Sequence, residues 1–197
     1  MIKRELYMSR IRPFIGTELI KVMTGIHRCG KSVMLELIKQ ELTESGVSPT
    51  QFISINFEDM SYSHLQTAQA LHDEITARAA KIEGKVYLFF DEIQEVKDWE
   101  KCINSFRVSL DCDIYITGSN AKLLSGELAT YLGGRYVEFV IYPFSFGEFM
   151  ELYRLITPDA SIQQCFQKYL LAGGMPYLAN LRYADAPSKQ YLHDLFN

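Results

Sequence analysis

The stretch Gly25-Ile26-His27-Arg28-Cys29-Gly30-Lys31-Ser32 lies between a strand-like run, Leu19-Ile20-Lys21-Val22-Met23-Thr24, and a helical pattern that opens at Lys31. Its two glycines let the backbone turn where a Cβ would clash, so successive N–H groups can point inward around an anion at the helix N-terminus. Lys31 can then reach the β- and γ-phosphates of a nucleotide, and the Ser32 hydroxyl can bind Mg²⁺. The pattern alone also fits an ordinary glycine-containing turn, but the strand before it and the helix after it predict a phosphate-binding loop.

A second motif stands one strand-helix-strand unit further along the chain. Val86-Tyr87-Leu88-Phe89-Phe90 is a continuous apolar run of the kind buried on both faces of a parallel sheet, and Asp91 and Glu92 follow it. An Asp at this point can hold Mg²⁺ through water, and a Glu after it can polarise the water that attacks a γ-phosphate. Alone, two acidic residues after a strand also fit a solvated turn. Together with the loop, the pair predicts nucleotide hydrolysis.

Strand-like and helical patterns alternate along most of the chain, and the spacing of apolar residues predicts helices over about 31–44 and over 64–80. Such alternation implies an α/β fold, a three-layer P-loop NTPase sandwich with a mostly parallel five-stranded sheet. From Pro143 an aromatic helical pattern takes over, so we expect a P-loop ATPase core over residues 1–142, which includes an N-terminal lead-in segment, and a small helical lid over 143–197. The last helical pattern stops in mid-pattern, so the lid is expected to be truncated. The predicted strands are 19–24, 51–57, 86–90, 113–117 and 136–141.

Two positions beyond these motifs are candidates for contact with the γ-phosphate. The strand over 113–117 leads into Ser119 and Asn120, either of which is predicted to sense the γ-phosphate, although Ser and Asn also begin helices as N-caps. Arg135 follows two glycines where neither sheet nor lid demands a guanidinium. We predict that it reaches a nucleotide, either its own or that of a neighbouring subunit. The alternative is a solvent-facing arginine paired with Glu138.

Composition narrows the class of protein. The 197 residues are 48% hydrophobic and 22% charged, which suits one domain plus an appended piece. The net charge of −4 argues against a protein that mainly coats nucleic acid. No apolar run is long enough to cross a bilayer, the N-terminus lacks the apolar part of a secretion signal, and the four cysteines form no CxxC pair. These features predict a cytoplasmic protein without a membrane segment.

With these motifs the chain resembles the N-terminal ATP-binding domain of an uncharacterised prokaryotic family of AAA-type P-loop ATPases. The resemblance runs nearly end to end, and the combination of motifs is far more specific than either phosphate-site motif alone. Members of the family usually continue into a C-terminal domain of unknown function, and we expect this half to be missing here. The stretches that carry the resemblance are the Arg-Cys-Gly-Lys-Ser end of the loop, 89–94, 116–120, 134–136 and 142–146.

The resemblance implies ATP and Mg²⁺ as cofactors and assigns roles to individual residues. Lys31 and Glu92 are implied as catalytic residues, with Ser32 and Asp91 as the metal ligands. Gly174-Met175-Pro176 resembles the glycine-x-proline lid motif of signal-transduction ATPases, in which the proline packs near the nucleotide base. The implied nucleotide-binding residues are Gly25, His27, Arg28, Cys29, Gly30, Lys31, Ser32, Val33 and Pro176.

Three functions compete at this stage. The first is Mg²⁺-dependent ATP hydrolysis coupled to conformational change, which Glu92 favours because phosphate-transferring kinases need no base directly after the metal Asp. The second is a nucleotide-gated switch that holds ATP or ADP and presents a surface to a protein partner or to another copy of itself. The third is action on DNA, which would require the C-terminal part, because the chain shows no basic-aromatic stripe.

Overall fold

The computed structural model of the chain describes residues 2–119 and 132–196. Its backbone contacts divide the chain into two compact units, and the helical region from about residue 142 onward belongs to the second. The sheet unit comprises Glu5–Ile26 and Lys31–Ile141, and the helical unit comprises Met1–Arg4, His27–Gly30 and Tyr142–Asn197.

A parallel sheet organises the sheet unit. Its strands within the described residues are β1 (Ile20–Thr24), β2 (Phe52–Asn56), β3 (Val86–Asp91), β4 (Cys112–Thr117) and β5 (Tyr136–Val140). They lie in the order β2-β3-β4-β1-β5, and all four pairings are parallel. The carboxyl ends of β1, β3 and β4 therefore meet at one edge of the sheet. This confirms the predicted α/β fold.

The sequence of the strands explains which lie in the centre. Every residue of β1 is buried, and β3 is buried at all but one position, as expected for strands covered on both faces. In β2, by contrast, Ile53 and Ile55 are buried while Ser54 and Asn56 are exposed, which suits a strand at the edge of the sheet. Alternation of apolar and polar residues thus predicts position in the sheet as well as strand formation.

Four α-helices flank the sheet within the described part of this unit: α1 (Glu5–Ile11), α2 (Lys31–Glu44), α3 (Ala68–Ala79) and α4 (Trp99–Ser109). Helix α2 confirms the pattern predicted over 31–44. Helix α3 starts four residues later than the pattern from residue 64 suggests, because Thr67 caps its first turn by accepting a hydrogen bond from the Ala70 N–H at 3.3 Å. A 3₁₀ helix, Met60–Leu65, occupies the preceding residues.

The helical unit has its own core. Its described α-helices are α5 (Phe146–Ile156), α6 (Ile162–Ala172) and α7 (Asp185–Phe196), of which α5 and α6 begin with a Ser-x-x-Glu or Ser-x-x-Gln capping box. Phe149 is fully buried, and its ring centroid lies 4.9 Å from that of Tyr183 in an edge-to-face contact. Throughout the described residues of both units, every helix is too short or too polar to cross a bilayer.

A buried ion pair that the sequence pattern does not reveal lies inside the sheet. The Lys21 ammonium donates to Asp113, to the Leu19 carbonyl at 2.8 Å and to the Thr17 carbonyl at 3.2 Å, and both charged side chains are inaccessible to solvent. Tyr115 donates its hydroxyl hydrogen to the second Asp113 oxygen at 2.8 Å. Burial lowers the pKa of Lys21, although the nearby Asp113 charge opposes the shift.

Candidate functional site

The loop after β1 has the backbone that the sequence motif requires. Gly25 adopts φ of 147° and Gly30 adopts φ of 105°, a region that residues with a side chain rarely enter. Arg28, between them, also has a positive φ, 62°. The two glycines are therefore needed for the course of the chain from β1 into α2.

Lys31 is the first residue of α2 and points its ammonium back towards the start of the loop. Its side chain is only 4% exposed, and Nζ lies 3.4 Å from the Gly25 carbonyl oxygen and 3.5 Å from that of Ile26. The same Nζ lies 3.4 Å from Oε1 of Glu92. Ser32 and Val33, the next two residues of the helix, are exposed. A buried ammonium thus faces an acidic residue that follows another strand.

Asp91 and Glu92 lie where β3 ends, and Thr117 at the end of neighbouring β4 holds both. The Thr117 hydroxyl donates to Asp91 Oδ1 and accepts a hydrogen bond from the Glu92 N–H at 3.0 Å. Asp91 is buried, with 6% of its surface exposed. Thr117 was not among the residues predicted from the sequence, which were Ser119 and Asn120 further along the chain. Its signal is a polar residue that closes a buried strand at its carboxyl end.

Glu92 itself adopts a left-handed backbone conformation, with φ 54° and ψ 49°. Such strain in a residue with a side chain persists only where the surroundings determine the conformation, and it is common in functional sites. Its Oε2 accepts a hydrogen bond from Nε2 of Gln94 at 2.6 Å, while Lys31 faces Oε1. Glu92 is therefore a carboxylate fixed beside a buried ammonium at the carboxyl edge of the sheet.

The donor set suits Mg²⁺ bound together with phosphates. No cluster of three or more His, Cys, Asp or Glu side chains able to hold a metal occurs in residues 2–119 and 132–196. Mg²⁺ commonly takes only one or two protein oxygens and completes its shell with phosphates and water, so such a cluster is not required. The Ser32 hydroxyl and the Asp91 carboxylate are oxygen donors of this kind.

In the helical unit, two residues distant in sequence lie beside the loop segment His27–Gly30. A Cβ built on Gly30 would lie 3.3 Å from Nη1 of Arg4 and 4.0 Å from Cγ of Pro176. Nη1 of Arg4 also donates to the Cys29 carbonyl at 3.1 Å. The structure thus brings Pro176 next to Gly30, and it adds Arg4, for which the sequence carries no signal.

The exposed part of this loop segment faces the last helix of the same unit. His27 and Arg28 line an open depression of about 330 Å³ together with Tyr191, Asp194 and Leu195 of α7. The Arg28 guanidinium carbon lies 6.0 Å from the centroid of the Tyr191 ring, a cation–π arrangement. The side chains of His27 and Arg28 therefore face α7 across this depression.

The remaining candidates are Ser119, Asn120 and Arg135. Ser119 follows β4 and is half-buried, and Asn120 lies outside the described residues. Arg135 precedes β5 at its amino end, where its carbonyl accepts from the Ile20 N–H at 3.0 Å and its Nη1 donates to Asn104 at 3.0 Å. The phosphate-binding loop follows the carboxyl end of β1, which lies about 16 Å away, the length of a five-residue strand. Arg135 therefore starts from the end of the strands opposite the loop, and its contact with a nucleotide, its own or that of a neighbouring subunit, stays a prediction.

Comparison with known families and proteins agrees with this architecture. The family model of the AAA domain matches residues 17–150. An uncharacterised protein of Haemophilus influenzae is 40% identical over 190 residues, which cover 96% of this chain and 47% of that protein. An uncharacterised protein of Methanocaldococcus jannaschii is 32% identical over 189 residues, which cover 90% of this chain and 41% of that protein. The chain thus spans less than half the length of these two relatives.

Solved structures share the fold at low sequence identity. DnaA from Aquifex aeolicus, solved with AMPPCP, aligns with a TM-score of 0.60 and 14% identity over 99% of this chain and 62% of its own. The Aeropyrum pernix ORC1 protein, solved in complex with DNA, aligns with a TM-score of 0.54 and 12% identity over 96% of this chain and 64% of its own. At these identities the similarity shows the fold alone.

Proposed function

The chain belongs to the family of AAA domains, and we propose that it binds ATP with Mg²⁺ in the cytoplasm and hydrolyses it, coupling hydrolysis to a conformational change. One observation carries the proposal. The Lys31 ammonium lies 3.4 Å from the Glu92 carboxylate, next to an Asp91 whose carboxylate is held by Thr117. One edge of the sheet therefore carries a cation that can bind phosphates, an oxygen ligand for a metal ion and a base that can deprotonate water.

Binding rests on the loop and on the start of α2. The loop amides and the helix N-terminus bind the phosphates, and Lys31 turns its ammonium towards the β- and γ-phosphates. Ser32 and Asp91 would hold Mg²⁺, which when bound neutralises charge on the phosphate oxygens. Gly25, His27, Arg28, Cys29, Gly30 and Val33 complete the proposed nucleotide contacts, with Pro176 on the side of the base.

Chemistry rests on Glu92. Its carboxylate accepts a proton from a water molecule while the water oxygen attacks the γ-phosphorus atom, and the bond from phosphorus to the bridging oxygen of the β-phosphate breaks. ADP and inorganic phosphate result. Ser119 or Asn120 contacts the γ-phosphate, and Arg135 stabilises the transition state in a neighbouring copy of the chain.

A second candidate function is a slow or non-hydrolysing nucleotide-gated switch that presents a surface to a protein partner. Large apolar side chains on the helical unit support it, since Leu155 is 75% exposed, Leu171 77% and Phe196 66%. Absence of hydrolysis despite tight ATP binding would favour this function. ORC1 was solved with DNA, but for this chain action on DNA is proposed only through segments that the longer relatives contain.

Calorimetry on Lys31→Ala tests nucleotide binding. Loss of the ammonium leaves the phosphates without their mobile cation, so affinity for MgATP should fall by at least ~10-fold, about 1.4 kcal/mol. Lys81→Ala removes an exposed lysine just after α3 and serves as the control, with unchanged affinity. Equal affinities of wild type and Lys31→Ala would refute the assignment of the loop.

A further inference from the structure

We propose that Gln94 is the positioning residue of the base, holding the Glu92 carboxylate in the orientation in which it accepts the proton from water. The inference rests on the proposed function. Gln94 lies in the 3₁₀ turn Ile93–Glu95 directly after β3, two residues beyond Glu92. Its Nε2 donates to Glu92 Oε2 at 2.6 Å, a short hydrogen bond to a charged acceptor.

The orientation of the Gln94 amide is dictated by Glu92. A flipped amide would point its carbonyl oxygen at a carboxylate oxygen, so that two acceptors would face each other. In the observed orientation Oε1 of Gln94 is buried and has no hydrogen-bond partner among the residues that the structure describes. A buried acceptor without a partner is unfavourable. Gln94 therefore keeps its hydrogen bond to Glu92 even though its Oε1 atom has no hydrogen-bond partner among the described residues.

The contacts of Glu92 divide into one that persists and one for which the phosphates compete. In the described part of the chain, Lys31 faces Oε1 and Gln94 binds Oε2. Lys31 is the cation proposed to turn to the β- and γ-phosphates, so its pull on Glu92 weakens when nucleotide binds. Among the described residues Gln94 makes its side-chain hydrogen bond to Glu92, so it can hold the carboxylate throughout. The orientation of the base at the moment of reaction then depends on Gln94.

The backbone of Glu92 shows why a side-chain support is needed. The left-handed conformation, φ 54°, turns the residue out of the course of β3, and the hydrogen bond from its N–H to Thr117 fixes only the main chain. Several side-chain bonds of a glutamate remain free to rotate after its main chain is fixed. Thr117 and Gln94 thus act on different parts of the same residue.

Replacing Gln94 by methionine tests the inference, because methionine keeps the length of the side chain and lacks the donor. Misplacement of a reacting group by about 1 Å can lower a rate by 10²-fold, so kcat for ATP should fall by roughly 10-fold to 10²-fold. The Kd of MgATP should stay within about twofold, since Gln94 is proposed to act on Glu92 and not on the phosphates. Gln40→Met is a matched control, because Gln40 also donates to a glutamate, Glu44 at 2.8 Å, on the surface of α2.

A double-variant cycle separates positioning from a structural role. If Gln94 acts through Glu92, Gln94→Met has no further effect on the residual turnover of Glu92→Gln, whereas a structural defect would lower both backgrounds alike. Gln94→Glu, which sets a second carboxylate against Glu92, keeps the test valid should the methionine variant fold poorly. Its kcat should also fall at least 10-fold.

The outcomes are distinguishable. Wild-type turnover that Glu92→Gln abolishes and that Gln94→Met leaves intact would overturn the inference and keep the proposed function. Equal losses from Gln94→Met in the wild-type and Glu92→Gln backgrounds would also overturn it. Wild-type protein that binds MgATP without hydrolysing it would overturn the inference together with the proposed hydrolysis.

Discussion

Replacement of Arg4 by methionine should destabilise the protein far more than replacement of another arginine from the same N-terminal segment. The Arg4 side chain is 1% exposed, and its Nε donates to Glu148 Oε1 at 2.9 Å. Its Nη1 donates to the Cys29 carbonyl at 3.1 Å and its Nη2 to the Tyr142 carbonyl at 2.8 Å. The guanidinium carbon also lies 5.1 Å from the centroid of the Phe144 ring. One buried cation thus joins three stretches of the helical unit.

The expected loss follows from what the substitution leaves behind. Methionine fills a similar space but donates no hydrogen bond, so the Glu148 carboxylate, which is 12% exposed, and the Cys29 and Tyr142 carbonyl groups each lose the hydrogen bond from Arg4. Breaking a buried pair by removing one partner costs about 3–5 kcal/mol. Arg4→Met should lower the free energy of unfolding by that amount. Arg4→Lys keeps the charge without the planar fork and should lose less.

Urea unfolding at constant pH measures the effect, with Arg12→Met as the matched control. Arg12 binds Glu5 and Glu41, but its side chain is 40% exposed, and such surface pairs contribute only about 0–1 kcal/mol. Losses below 1 kcal/mol for both variants would refute the assignment of a structural role to Arg4.

Acid unfolding gives an independent check through Glu148. Burial alone would raise the pKa of this carboxyl, but hydrogen bonds from Arg4 and from Ser145 outweigh it and hold the pKa below its usual range. A carboxyl with a lowered folded pKa contributes stability that is present above the unfolded pKa of about 4.3 and is lost as pH falls through the folded value. Arg4→Met should therefore lose less stability than wild type on acidification below about pH 4.5. An identical slope in both proteins would contradict the pairing.

Two further predictions concern a neighbouring subunit and the interior of the sheet. If Arg135 acts in trans, a mixture of Arg135→Ala and Glu92→Gln should restore part of the ATP turnover that each variant lacks alone. An arginine supplied in this way can raise the rate by up to ~10³-fold. A mixture no more active than the sum of the two variants would exclude a role of Arg135 in trans. Lys21→Met should lower the free energy of unfolding by about 3–5 kcal/mol because it leaves the buried Asp113 carboxyl group without its cation. Urea unfolding of Lys21→Met with Asp113→Asn should then show a loss smaller than the sum of the single losses, and strict additivity would exclude the coupling.

Local patterns predicted the elements that local forces determine. The spacing of apolar residues and the glycines around 31–44 predicted α2 to the residue, and the apolar run before Asp91 predicted β3 within one residue. The late start of α3 was missed because it depends on a single capping hydrogen bond, which the Thr67 hydroxyl accepts from the Ala70 N–H. Errors of this kind concern the ends of elements and leave the fold unchanged.

Contacts between segments far apart in sequence could not be predicted in the same way. Thr117 meets Asp91 only because β4 lies between β1 and β3, an order that no local pattern states. Arg4 and Glu148 pair although 144 positions separate them. The position of Arg135 could not be predicted either, since its place in the sequence does not reveal that it lies at the amino end of the strands, opposite the loop. Strand order, set by packing of the whole sheet, decides which side chains meet.

The most direct test of the proposed mechanism compares ATP binding and ATP hydrolysis in wild type and Glu92→Gln. Glutamine keeps the shape of the side chain and removes the base, so the Kd of MgATP should stay within about twofold while turnover falls by roughly 10²-fold or more. Calorimetry gives the first quantity and release of inorganic phosphate gives the second. Hydrolysis by Glu92→Gln at the wild-type rate would contradict the role of Glu92.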